Sequence, residues 1–145
     1  MCTWREFAQN APEFASRVEA LFTSHKHHTM ATVRRDGSPR ISGTEVQISD
    51  GQLRFGMMSG ARRGWDLRRD PRMALHSQSA DPPEENPTAW PGEAKIAGKA
   101  TELDPGGDPG GGYQVDITDV VLTHLDGELR IDHWTPDRGI VHHTR

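Results

Sequence analysis

The chain of 145 residues has one cysteine, three lysines and one tyrosine, and nowhere an unbroken apolar run. Each shortage excludes something. A lone thiol at Cys2 allows no internal disulfide framework and no paired-cysteine metal knuckle, and it makes no convincing nucleophile. Charged residues interrupt every apolar stretch, so neither a secretory leader nor a membrane-spanning helix is legible. A soluble, cytoplasmic protein without a membrane partner is expected. The formal net charge of −4 leaves no broad positive face of the kind nucleic acid demands. No acid and base stand at a useful catalytic spacing, and Glu45 and Glu102 read as ordinary strand polars.

What remains points to one globular domain over 1–145, with a lean hydrophobic content of 33%. Phe7, Ala11, Phe14, Val18, Leu21 and Phe22 recur at spacings of three and four, which predicts a helical N-terminal segment over 1–27, with Pro12 able to open a second helix. The period then becomes alternating, and three Asp-Gly pairs, at 36–37, 50–51 and 126–127, predict type I′ hairpins. Strands are expected at 29–34, 40–48, 53–58, 73–79, 93–103, 115–125 and 128–134, giving a barrel over 28–138 and a tail over 139–145. Antiparallel hairpins with a single interrupting helix favour a mainly β, closed or partly closed antiparallel barrel over a parallel α/β sheet. The glycine-rich stretch 104–112 matches no phosphate-binding fingerprint and reads as a flexible linker.

Basic charge is carried by fourteen arginines, which grip phosphate and carboxylate in forked contacts that lysine cannot make; codon bias of a GC-rich genome gives the same count. Five of them crowd residues 62–72. Met57 to Leu75 reads as a strand end, a glycine turn at Ser59-Gly60, a short helix from about Ala61, and a second strand. A helix there aims its free N–H groups and dipole at the turn, where Arg62 and Arg63 add full charge, an arrangement suited to a phosphate. The same residues also describe an amphipathic surface helix with Trp65 on the core side. Two histidine clusters, His25-Lys26-His27-His28 and His142-His143, lack a carboxylate or cysteine at ligand spacing and are not read as a metal site.

The pattern resembles the pyridoxamine 5′-phosphate oxidase-like family, the flavin-binding split barrels. Three stretches carry the likeness: Ala31 to Ser42, Ser59 to Leu75, and Asp116 to Val121 with the Ile131-Asp132-His133-Trp134 ending. The resemblance implies a Greek-key split barrel and a homodimer with cofactors in clefts between subunits. It implies a phosphate held by Arg62 and Arg63, with Ser59 and Met58 beside them and Arg40 on the second strand, although Ala61 stands where the family often has serine. Trp134 and Arg138 are the counterparts of the C-terminal residues that touch the flavin from the partner chain.

The cofactor implied is FMN or the deazaflavin coenzyme F420, with a slight lean to F420, whose longer tail Arg34, Arg35, Arg40 and Arg54 could follow. The function implied is an oxidoreductase passing a hydride between that cofactor and a small organic substrate. A non-catalytic barrel that sequesters cofactor is the alternative. Pyridoxamine phosphate oxidation itself is disfavoured, because the C-terminal segment of the oxidases is missing.

Overall fold

A computed structural model describes all 145 residues. Two helices, α1 (Trp4–Asn10) and α2 (Pro12–Thr23), precede strands β1 (His27–Val33), β2 (Pro39–Ser49) and β3 (Gln52–Met57). Helix α3 (Arg62–Arg69) leads into β4 (Arg72–His76), and β5 (Glu93–Glu102), β6 (Gly111–Asp126), β7 (Glu128–Thr135) and β8 (Gly139–Thr144) follow. All pairings are antiparallel. Neighbours run β3-β2-β1-β4-β5-β6, and pairing of β3 with β6, from Leu53↔Val115 to Met57↔Gly111, closes six strands into a barrel. β7 and β8 extend β6 beyond it. No helix is long and apolar enough to cross a membrane.

Alternation explains the core. Leu53 and Phe55 point inward from β3, and Tyr113, Val115 and Ile117 do so from β6. The N-terminal helices then cover what the barrel leaves open. Phe7 packs against Trp4, Phe14 and Trp134, with its ring centroid 4.6 Å from that of Trp134. At the start of α1, Thr3 and Glu6 form a reciprocal capping box, so that helix satisfies its own first amides. Pro12 opens α2.

Three features differ from the sequence reading. Only the Asp50-Gly51 turn has positive φ at both central residues; at the other two Asp-Gly pairs the glycine alone does. In the first hairpin Arg34 accepts from Gly37 and donates to Ser38, which shifts the left-handed position one residue along. The segment read as a tail is β8, paired with β7 from Arg130↔Thr144 to Thr135↔Gly139 and tied by His142 to the buried Asp132. Its side chains are almost all exposed, so it carries no alternation to read. There are two N-terminal helices, as Pro12 allows. The glycine-rich stretch is no slack linker, for Pro109 is buried and its carbonyl receives the Gly60 amide at 2.8 Å.

Candidate functional site: a glycine-floored cleft beside α3

Gly60, at φ +78°, turns the chain from β3 into α3. Gly110 backs this turn so closely that a Cβ on it would lie 2.7 Å from the Cα of Ser59. The helix begins at Ala61, which has no side-chain oxygen to cap it. Its first turn holds Arg62 and Arg63 and no acidic residue, whereas α1 has Glu6 and α2 has Glu13 in that position. Free amides, the positive end of the dipole and two arginines therefore gather at this turn, with the Asp108 carboxylate of the neighbouring loop beside Gly60.

Arg63 leans off the helix and donates to the carbonyls of Gly43 on β2 and Gly56 on β3, the latter at 3.2 Å. Burial pushes its guanidinium below the ordinary arginine value, though it stays charged. So held, it walls one side of a cleft of about 640 Å³ on the outer face of the barrel. The floor is backbone: Gly43, Gly56 and Gly112 come from three neighbouring strands, and Gly56 lies directly opposite Gly112. A Cβ on Gly43 would meet nothing within 4 Å, so only the cleft itself uses that space. Gln47 and Arg54 line the cleft on from this floor, and Met58 and Leu103 form a rim that is 85% and 49% exposed. Glu45 also lines it, paired with His27 at 3.3 Å.

The other arginines of this region are committed elsewhere. Asp66, on the inner side of α3, receives Arg40 Nε at 2.7 Å, the Thr32 hydroxyl at 2.8 Å and Arg69 at 3.0 Å. Burial opposes ionisation of Asp66, but the hydrogen bonds from Arg40 and Thr32 outweigh it and hold the carboxyl below its usual value. Arg68 grips Glu102 through two donors and also reaches the Gly107 carbonyl.

Of the residues singled out from the sequence, the structure brings Arg54, Met58 and Arg63 to the cleft. Arg62 and Ser59 are exposed at the adjoining turn. Arg40 is not free for a phosphate, because Asp66 takes it. Trp134 is 1% exposed and donates its indole N–H to Asn10 at 2.8 Å, which makes it a core residue beneath α1. Arg138 lies in the β7–β8 turn, in a separate depression with His133 and His143. The three floor glycines escaped the sequence reading, although glycine within an alternating strand is itself a sign of close approach. His28 is buried, its Nε2 facing the carbonyls of Phe22 and His25 and its Nδ1 accepting from the Gln78 amide.

No protein-family model and no curated protein matches this sequence. Its shape does match solved structures. A pyridoxamine 5′-phosphate oxidase-related, FMN-binding protein from Nostoc punctiforme superposes with a TM-score of 0.62 at 13% identity, over 93% of this chain and 95% of that one. PhzG from Burkholderia lata, solved with tetrahydrophenazine-1-carboxylic acid, gives 0.64 at 12% identity over 96% and 91%. A heme-binding protein from Mycobacterium smegmatis gives 0.62 at 20% identity; this chain covers 58% of its length. The fold is thus the antiparallel split barrel of pyridoxamine 5′-phosphate oxidase-like proteins, the class that the sequence resemblance implied.

Proposed function

We propose that the cleft binds FMN, with the phosphate at the start of α3 and the ring system on the glycine floor, and that the protein is a flavin-dependent oxidoreductase for a small organic substrate. One observation carries the reading: a floor of three glycines adjoins a helix start that has two arginines and neither a side-chain cap nor an acidic residue in its own first turn. A flat, apolar-faced ring with a phosphate tail satisfies both halves. FMN, when bound, supplies the hydride chemistry. The chain's own part is to bind and orient: Arg62, Arg63 and the first amides of α3 hold the anion, with Ser59 beside them, and Met58 and Leu103 shield the ring from water.

FMN is favoured over F420, against the lean of the sequence reading. A longer anionic tail needs a continuous basic groove, yet Arg40 is spent on Asp66, and neither Arg34 nor Arg35 lines the cleft. Only Arg54 of that set does. Similarity to an FMN-binding protein supports the same choice.

The working form is a homodimer with the cleft between subunits. Of the eleven residues of β2 only Thr44 is buried, and Ile41 on that strand is 74% exposed, so the face beside the cleft is uncovered within one chain. A second copy laid there would close the cleft and cover the apolar rim.

Titrating protein freed of ligand with FMN, followed by flavin fluorescence and by light scattering after gel filtration, tests these points together. One FMN per chain in a particle of two chains is expected. Absence of FMN binding, or binding of F420 in its place, ends the reading. FMN that binds but is neither reduced nor reoxidised by any substrate in a panel of small carbonyl, enone and imine compounds with nicotinamide donors leaves a sequestering barrel instead.

A further inference from the structure

Arg54 is the cleft residue whose chemistry is still unspent. It sits on β3 directly between Gln47 of β2 and Gln114 of β6. Its Nε is buried and has no hydrogen-bond partner, so the chain spends folding free energy to keep this side chain at the cleft. Other arginines nearby are matched: Arg40 and Arg69 by Asp66, Arg68 by Glu102 and Arg72 by Asp70. The carboxylate lining the cleft, Glu45, is already flanked by His27 of β1 at 3.3 Å and by Lys26, just before that strand, at 3.9 Å. Arg54 thus lines the cleft with no anion of its own, and its guanidinium makes no hydrogen bond within the chain.

Its position sets what it can meet. Arg63 is pinned to the carbonyl of Gly56, and Arg54 stands two residues back along the same strand, roughly 7 Å away. Two forked cations spaced along a flat floor do not suit a single phosphate ion. They suit an elongated molecule with an anion at one end and an acceptor-rich edge at the other. Resting on the FMN reading above, we propose that Arg54 is the second anchor of the cleft, donating to the carbonyl and imine acceptors on the pyrimidine edge of the ring while α3 holds the phosphate. The planar, bidentate guanidinium fits such an edge, where neighbouring acceptors lie in one plane; an ammonium cannot reproduce the fork.

Comparing FMN with riboflavin, which has the same ring and no phosphate, separates the two anchors. Arg54→Met keeps the apolar stem and removes the fork, and Arg54→Lys keeps charge without the fork; both are checked for an unchanged unfolding temperature. If Arg54 grips the ring, each variant loses affinity for FMN and for riboflavin by the same factor, about tenfold or more, and the FMN-to-riboflavin ratio of the parent persists. A ratio that collapses places Arg54 on the phosphate and overturns the proposal, as do unchanged affinities for both. A variant that unfolds assigns Arg54 to the scaffold and overturns it as well. Parent protein that binds neither flavin refutes the FMN reading itself, an outcome distinct from all of these.

Discussion

The first turns of α1 and α3 are opposite in design. At α1, Thr3 and Glu6 answer the free amides from within the chain, and the helix caps a core built on Phe7 and Trp134. At α3, Ala61 offers nothing and two arginines add to the positive end. The first arrangement is complete by itself and therefore belongs to stability. The second leaves its first amides without a side-chain cap or an acid of their own, which a folding domain tolerates where a ligand completes it. The far side of α3 reinforces the contrast, since there every charge is met by Asp66 or Glu102.

This contrast can be broken from either side, beginning where the effect is largest. Asp66→Ala leaves Arg40, Arg69 and Thr32 without their common acceptor. Removing one partner of a buried pair costs about 3–5 kcal/mol; with both arginines partly exposed, about 2–3 kcal/mol is expected in urea unfolding. Arg63→Ala acts on the other face. It should weaken FMN by about 1.5–3 kcal/mol and shrink the preference for FMN over riboflavin, with a smaller change in unfolding free energy, as titration and melting will measure.

A third prediction concerns pH. Burial lowers the pKa of His28, whose neutral ring accepts from Gln78. The unfolded chain then binds the proton more readily than the folded one, so stability is complete above the ordinary histidine value of about 6.5 and declines as pH falls toward the lowered folded value. The slope for one proton is at most about 1.4 kcal/mol per pH unit. Asp66 and Asp132, both held low, contribute only in more acid solution. Urea unfolding of His28→Gln, in which this slope should be absent, checks the assignment. The smallest change in stability is expected for Gly43→Ala. A methyl group there meets nothing in the chain, so unfolding free energy should move by less than about 1 kcal/mol, toward stability if at all, while FMN affinity falls because the floor has been raised.

Much of the barrel was legible because its signals are local. The alternation of Leu53, Phe55 and Met57 and the turn at Asp50-Gly51 need no tertiary information, and β2 and β3 fell within a residue of their expected limits. The arginine-rich helix was legible for the same reason. What escaped reading depends on distant partners. Nothing near Arg40 announces that Asp66 will claim it, and nothing near Trp134 announces Asn10, which is 124 positions away. Floor glycines at 43, 56 and 112 gain meaning only when three strands align. The edge strand β8 is held by backbone pairing and one histidine, neither of which leaves a pattern.

Pro109 and Gly110 brace the turn before α3, and Gly112, two residues later, is part of the cleft floor. One short span of backbone thereby supports both the anion end and the ring end. A residue inserted between Pro109 and Gly112 displaces both ends in a single stroke, whereas additions between Asp104 and Asp108 spread into solvent at the expense of one Arg68 contact. Length variation in this loop is thus permitted upstream of the proline and forbidden just after it.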